Sequence, residues 1–160
     1  MAGQKSKTTN RTLLEAFQAL SVIAGTSWAD PRVALRIGRS FRAVRKADDE
    51  IEKDRAVLLD QYAVRTDEGS YATGEGGGIL LKDPLAFNKQ WRELLDEEVE
   101  LEVWPVDVSA LADGKAKKGN CKECHRALGP NLSPFYLEVL VEIGVVVGAD
   151  DQEAVTPAGE

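Results

Sequence analysis

Apolar residues recur at helical spacing through the first half of the chain. Leu13, Phe17, Leu20 and Ala24 follow one another at steps of four, three and four residues, which predicts an amphipathic helix that begins near Thr9. The residues before it, 1–8, are polar and are expected to be disordered.

A second, much longer helix is predicted to begin at Asp30 and Pro31. An acidic residue at the N-cap followed by proline at the first helical position is a strong helix-start signal, and the helical pattern continues to about Ala63. Its apolar face carries Val33, Ile37, Phe41, Val44, Ile51, Leu58, Leu59 and Tyr62. Because such a face must be buried, the two helices are expected to form an antiparallel hairpin.

The second half of the chain contains both helical and strand-like patterns of apolar residues. Residues 67–78 are glycine-rich and predict a mobile connector; no Gly-Lys-Ser/Thr follows them, which argues against a phosphate loop. Asp83-Pro84 starts a third helix, and Val99 to Val103 alternates strictly, as in a half-buried strand. We expect this strand to pair antiparallel with residues 79–81.

Ser133-Pro134 gives the start signal for a final helix. The predicted fold is therefore α+β and mainly α: a long antiparallel helical hairpin, a two-stranded β element with a packed helix, and a C-terminal helix. Residues 9–148 are predicted to form a single domain with an insertion loop at 113–131, and 149–160 a flexible tail.

Length and charge narrow the class of protein. At 160 residues the chain is long enough for one domain with a real core, and its net charge of −7 means that a nucleic-acid contact would need a local basic patch. No apolar run is long enough to span a membrane. Two cysteines, with no continuous apolar signal core in residues 1–30, favour a cytoplasmic protein.

One motif suggests a bound cofactor. Cys121, Cys124 and His125 form Cys-Lys-Glu-Cys-His, the pattern of covalent haem attachment. The only methionine is Met1 and there is no second histidine, so the usual sixth iron ligand is missing and haem is disfavoured. Zinc is a better candidate, but these three side chains supply one ligand too few for a closed structural site. The expectation is no cofactor, with zinc as the open alternative.

A basic stripe on the long helix is the candidate binding surface. Its members are Arg32, Arg36, Arg39, Arg42 and Lys46, with no acidic residue between the first and the last. Such a face could bind a protein partner, nucleic acid or a phosphate-bearing small ligand, or it could simply be solvated. No combination of nucleophile, base and cofactor can be assembled, so no catalytic residue and no enzymatic activity are predicted.

The order of segments resembles that of small, largely uncharacterised proteins encoded by tailed bacteriophages. The matching residues are Ala34-Leu35-Arg36-Ile37-Gly38-Arg39, then Phe87, Trp91 and Leu94-Leu95 running into Val99 to Val106, and finally Leu132-Ser133-Pro134 with Leu137 and Leu140. The Cys/His insertion departs from that pattern. The resemblance implies a viral accessory or assembly protein, with no catalytic residues to carry over.

Three functions follow as expectations. The first is a non-enzymatic phage protein that acts through protein–protein interaction or self-association, in virion assembly or on a host component, in the cytoplasm of the infected cell or on the virion. The second is a binder of nucleic acid or of a phosphate-bearing ligand through the arginine stripe. The third is an oligomer stabilised by zinc at Cys121, Cys124 and His125.

Overall fold

The computed structural model describes residues 2–111, 115–116 and 132–148. Within these ranges the chain is mainly helical with small β elements, as predicted. The helices are α1 (Asn10–Ala24), α2 (Pro31–Tyr62), α3 (Pro84–Asp96), α4 (Val108–Leu111) and α5 (Pro134–Glu142). The strands are β1 (Gln4–Thr9), β2 (Thr26–Ser27), β3 (Glu98–Val103), β4 (Val106–Asp107), β5 (Lys115–Ala116) and β6 (Val146–Val147). None of the described helices is both long and apolar enough to cross a membrane.

The four predicted helix starts are confirmed, and a side-chain oxygen caps each one. Thr9 accepts from the backbone N–H of Thr12, Asp30 from that of Arg32, and Asp83 from that of Ala86. Ser133 does the same at the start of α5. Each cap satisfies one of the backbone donors that the first helical turn leaves unpaired, so purely local chemistry sets these boundaries.

The helical hairpin of α1 and α2 is confirmed and contains the centre of the core. Leu13 and Leu20 of α1 and Ile37 and Val44 of α2 are fully or almost fully buried. α5 covers α1 through Leu140, and its neighbour Ile143 is also fully buried. Burial of each such side chain contributes roughly 1.5–3 kcal/mol, so this apolar seam holds the three helices together.

The predicted partner of the alternating strand is wrong. β3 pairs antiparallel with β1, so the residues expected to be disordered form a strand over 4–9. The physical reason is complementary charge on the outer face, where Lys7 lies opposite Glu100 and the Lys5 ammonium lies 2.7 Å from a Glu100 carboxylate oxygen. On the inner face, Ser6 and Thr8 of β1 lie beside Leu101 and Val99 of β3.

Residues 63–82, here called the hairpin module, form two tight turns instead of a simple connector. The N–H of Ala72 donates to the carbonyl of Val64, that of Leu80 to Ala72, and that of Val64 back to Leu80, at 2.8–2.9 Å. Three short segments, eight residues apart, thus pair with one another in a closed triangle. Gly69 and Gly77 occupy equivalent turn positions at φ of +84° and +76°, a conformation that favours glycine.

The C-terminal part of the fold returns to the centre through a sharp reversal. Gly144 follows α5 with φ of +74°, and the chain then places Val146 beside Val106 in the parallel pair of β4 and β6. β2 pairs with β5, which fixes the described start of the predicted insertion next to the end of α1.

Candidate interaction surfaces

The predicted arginine stripe has two different roles along α2. The Arg36 guanidinium donates to the carbonyl of Pro105 at 2.9 Å, and the Arg39 guanidinium lies 5.8 Å from the centre of the Trp104 ring. Both side chains are half-buried. Two of the five predicted binding residues therefore hold the Trp104–Pro105 segment, which follows β3, against the helix.

Ser40 completes this attachment and was missed by sequence reasoning. It is fully buried, and its hydroxyl accepts from the backbone N–H of Trp104 at 2.8 Å and donates to the carbonyl of the same residue at 3.4 Å. A serine on an otherwise apolar helix face is the only sequence signal of this role. The consequence is that α2 and the end of β3 are joined by polar contacts as well as by packing.

The rest of the stripe is exposed. Arg32, Arg42 and Lys46 form no ion pair with any residue in the described part of the chain, and neither does Arg45, which the sequence prediction left out. These four cations are the part of the basic face of α2 that can meet another molecule.

The charge of α2 changes sign after Lys46. Asp48, Asp49, Glu50, Glu52 and Asp54 follow within eight residues. Glu50 pairs with Lys53 at 2.7 Å and Glu52 with Arg55 at 3.3 Å. Asp48 is only partly exposed, and its pKa is raised, first by loss of water contact and then by the neighbouring carboxylates of Glu52 and Asp49.

A shallow groove of about 340 Å³ lies between this acidic half of α2 and the helix α3. Its floor and walls combine apolar and acidic side chains: Asp54, Val57, Leu58, Glu93, Leu94 and Glu97. Val57 is 56% exposed. An open groove of this composition suits a side chain from another protein better than an enclosed small molecule.

A second candidate surface lies on the hairpin module and the start of α3. Leu85 is 84% exposed, and Leu80 and Ile79 are 45% and 36% exposed. Three large apolar side chains within residues 79–85 thus have much of their surface open to solvent. Single exposed apolar residues are common, but such a group is typical of a contact surface.

The hairpin module is fixed to the end of α2 by a polar cluster. Asp60 accepts from the Tyr71 hydroxyl and from the Arg65 guanidinium, and Arg65 lies over the Tyr71 ring at 5.0 Å. The hydrogen bond to Asp60 raises the pKa of Tyr71. The backbone N–H of Lys82, at the end of the module, donates to the carbonyl of Tyr62 at 2.7 Å, and Gln90 of α3 donates to the Tyr62 hydroxyl at 2.8 Å.

The Cys/His motif cannot be placed. Cys121, Cys124 and His125 lie outside the described residues. So do most of the predicted insertion at 113–131 and the whole predicted tail at 149–160. Within the described ranges, no group of three His, Cys, Asp or Glu side chains is positioned to hold a metal ion. The zinc alternative therefore stays a prediction.

Comparison with known proteins adds no relative. No family model, no curated protein and no solved structure matches this chain. A function can therefore be inferred only from the surfaces of the fold itself. The resemblance to phage proteins stays an expectation.

Proposed function

We propose that this protein is a non-enzymatic accessory or assembly protein of a tailed bacteriophage and that it acts by binding another protein. The observation that carries the proposal is that three large apolar side chains close together in the chain, Ile79, Leu80 and Leu85, are exposed on the hairpin module and at the start of α3. The phage assignment itself rests on the sequence resemblance. The site of action would be the infected cell's cytoplasm or the assembling virion.

Covering the exposed parts of Ile79, Leu80 and Leu85 would favour binding. Covering an exposed leucine or isoleucine removes apolar area from water and contributes roughly 1.5–3 kcal/mol per fully buried side chain. Interfaces typically depend on a few such anchors surrounded by polar residues. Here the surrounding polar residues include Lys82 and Glu75, which are both exposed.

The construction of the hairpin module indicates how a partner would bind. Val64, Ala72 and Leu80 already use their backbone groups to pair with one another, so the module does not offer a long free strand edge for β-augmentation. Recognition would then depend on docking of side chains. Because the turns are fixed by internal hydrogen bonds, ordering them on binding costs little entropy.

The nucleic-acid and phosphate-ligand alternative has less support. Arg36 and Arg39, the two central members of the stripe, already contact Trp104 and Pro105. The remaining exposed cations lie on the same helix as five closely spaced acidic residues, which oppose the approach of a polyanion.

The proposal is tested by site-specific photo-crosslinking in infected cells. A photoreactive amino acid replaces Leu85 in one version of the protein and the exposed Glu98, on β3, in the control version. We expect the Leu85 version to crosslink to one defined phage or host protein, identified by mass spectrometry, and the Glu98 version not to do so.

A competing variant makes the outcome decisive. Leu85→Asp replaces an exposed apolar side chain on α3 by a charged one. It should abolish co-purification of the identified protein. The proposal fails if the crosslinked set is the same from both positions, or if Leu85→Asp leaves co-purification unchanged. Recovery of nucleic acid as the main product, lost in high salt, would favour the arginine-face alternative instead.

A further inference from the structure

The two halves of α2 carry complementary surfaces on one side of the same helix. The N-terminal half offers Arg32, Arg42 and Lys46 around Leu35, which is 46% exposed. The C-terminal half offers the groove with Asp54, Val57, Leu58, Glu93, Leu94 and Glu97. One surface is apolar with a basic border, and the other is apolar with an acidic border.

We propose that two copies of this chain associate antiparallel through α2, so that the basic half of each copy lies on the acidic groove of the other. The occupant of the groove is thus a second copy, and charge complementarity is the reason for choosing it. This inference concerns a different surface from the one at Ile79, Leu80 and Leu85, and it does not rest on the proposed function.

The helix geometry permits this arrangement. Leu35 and Val57 are 22 positions apart, which at about 100° per residue puts them about 40° apart around the axis and about 33 Å apart along it. A two-fold axis across α2 near Lys46 and Ala47 therefore brings Leu35 of each copy onto the Val57 and Leu58 region of the other. Both contacts form at once, as an isologous dimer requires.

The charges then alternate across the interface. With the two-fold axis between residues 46 and 47, position 42 lies opposite position 51 and position 32 opposite position 61. The exposed Arg42 of one copy therefore faces the acidic stretch that includes Asp49 of the other, and Arg32 approaches the groove wall that carries Glu93. Within the described part of the chain, the groove carboxylates of Asp54, Glu93 and Glu97 and the exposed Arg32 and Arg42 form no ion pair, apart from a 4.0 Å contact between Lys89 and Glu93. Association would pair them.

The test measures the oligomeric state and then exchanges the charges. Sedimentation velocity in low salt should show a dimer in the micromolar range that dissociates in 1 M salt, where charges are screened within about 3 Å. Arg32→Glu with Arg42→Glu should weaken association at least about tenfold, and Glu93→Arg with Glu97→Arg should do the same, because each brings like charges together.

Mixing the two double variants gives the sharpest result. In the mixed dimer, the basic half that has been made acidic lies on the groove that has been made basic. The unchanged basic half lies on the unchanged acidic groove. Both contacts are attractive, so a heterodimer should form at wild-type affinity. A control that changes net charge by as much as Arg32→Glu with Arg42→Glu is Lys82→Glu with Arg92→Glu; both residues are exposed and neither lines the groove, so the dimer should stay intact.

Three results would overturn the inference. They are a monomer at every concentration in low salt, a dimer that the charge reversals do not weaken, and no heterodimer from the mixed variants. Circular dichroism and thermal melts of each variant show whether it is folded. A monomeric wild-type protein would leave the proposed function untouched, because crosslinking at Leu85 tests that independently.

Discussion

The Ser40 hydroxyl lies 2.8 Å from the backbone nitrogen of Trp104 and supplies that buried N–H with its acceptor. Ser40 is itself fully buried on α2. The pair connects residues 64 positions apart in sequence. It fixes the end of β3 on the helix next to the contacts of Arg36 and Arg39.

Ser40→Ala is expected to destabilise the protein by about 1–3 kcal/mol, because the Trp104 N–H loses its partner while still buried. Urea unfolding followed by circular dichroism measures the change. Ser21→Ala is the matched control: Ser21 is exposed and bonds only within its own helix, so its loss should cost little. Equal effects of the two substitutions would contradict this role for Ser40.

Thr8→Val is expected to stabilise the protein, by about 1 kcal/mol. The Thr8 hydroxyl is buried and has no hydrogen-bond partner among the described residues, and valine has the same shape without the unsatisfied polar atom. Thermal unfolding would show the gain as a higher Tm. A lower Tm would mean that the hydroxyl has an acceptor in the folded protein.

Asp48→Asn should raise stability at neutral pH. The pKa of Asp48 is raised in the folded protein, so its ionised form destabilises the fold, fully so above the folded pKa. As the pH falls through the folded value toward the unfolded one, the wild-type carboxyl takes up a proton and the difference shrinks. Melting curves of both proteins between pH 3 and pH 8 should therefore converge at the acidic end.

Removal of residues 2–7 tests the pairing of β1 with β3. Leu101 and Val103 are buried and lie beside Ser6 and Gln4 of β1, so removal of β1 should expose part of each side chain and cost about 1–3 kcal/mol. Deletion of residues 150–160, which the sequence predicts as a flexible tail, serves as the comparison and should have little effect on urea unfolding. If both deletions are tolerated equally, β1 does not contribute to the stability of the fold.

Native mass spectrometry of the protein purified from a cytoplasmic expression host is expected to give the mass of the bare chain. The reason lies in the ligand count, since Cys121, Cys124 and His125 provide three soft ligands and a closed zinc site needs four. A stoichiometric mass of zinc that disappears in Cys121→Ser would refute this expectation and establish the zinc alternative.

Local signals predicted the helices well because each start is determined by neighbouring residues. At Asp30-Pro31 and Asp83-Pro84 the whole capping interaction lies within four residues. The partner of β3 could not be predicted in the same way. Strict alternation identifies a strand and its buried face, but it says nothing about which distant segment pairs with it, and β1 carries no apolar residue to indicate burial.

The candidate surfaces were predicted only in part for a related reason. The basic stripe is visible in the sequence, but the division between Arg36, which holds Pro105, and Arg42, which is exposed, depends on where β3 ends in space. The hairpin module was equally hidden. Its closed triangle is formed by backbone groups of Val64, Ala72 and Leu80, and their side chains give no sign of it.

The pairing of β1 with β3 also sets a condition on biosynthesis. Lys5 and Glu100 are 95 residues apart, so at roughly 5–20 residues per second β1 leaves the ribosome about 5–20 seconds before its partner strand exists. During that interval α1 and α2 can already form their hairpin. The small sheet can therefore close only after β3 has been made, and until then β1 lacks the strand with which it pairs.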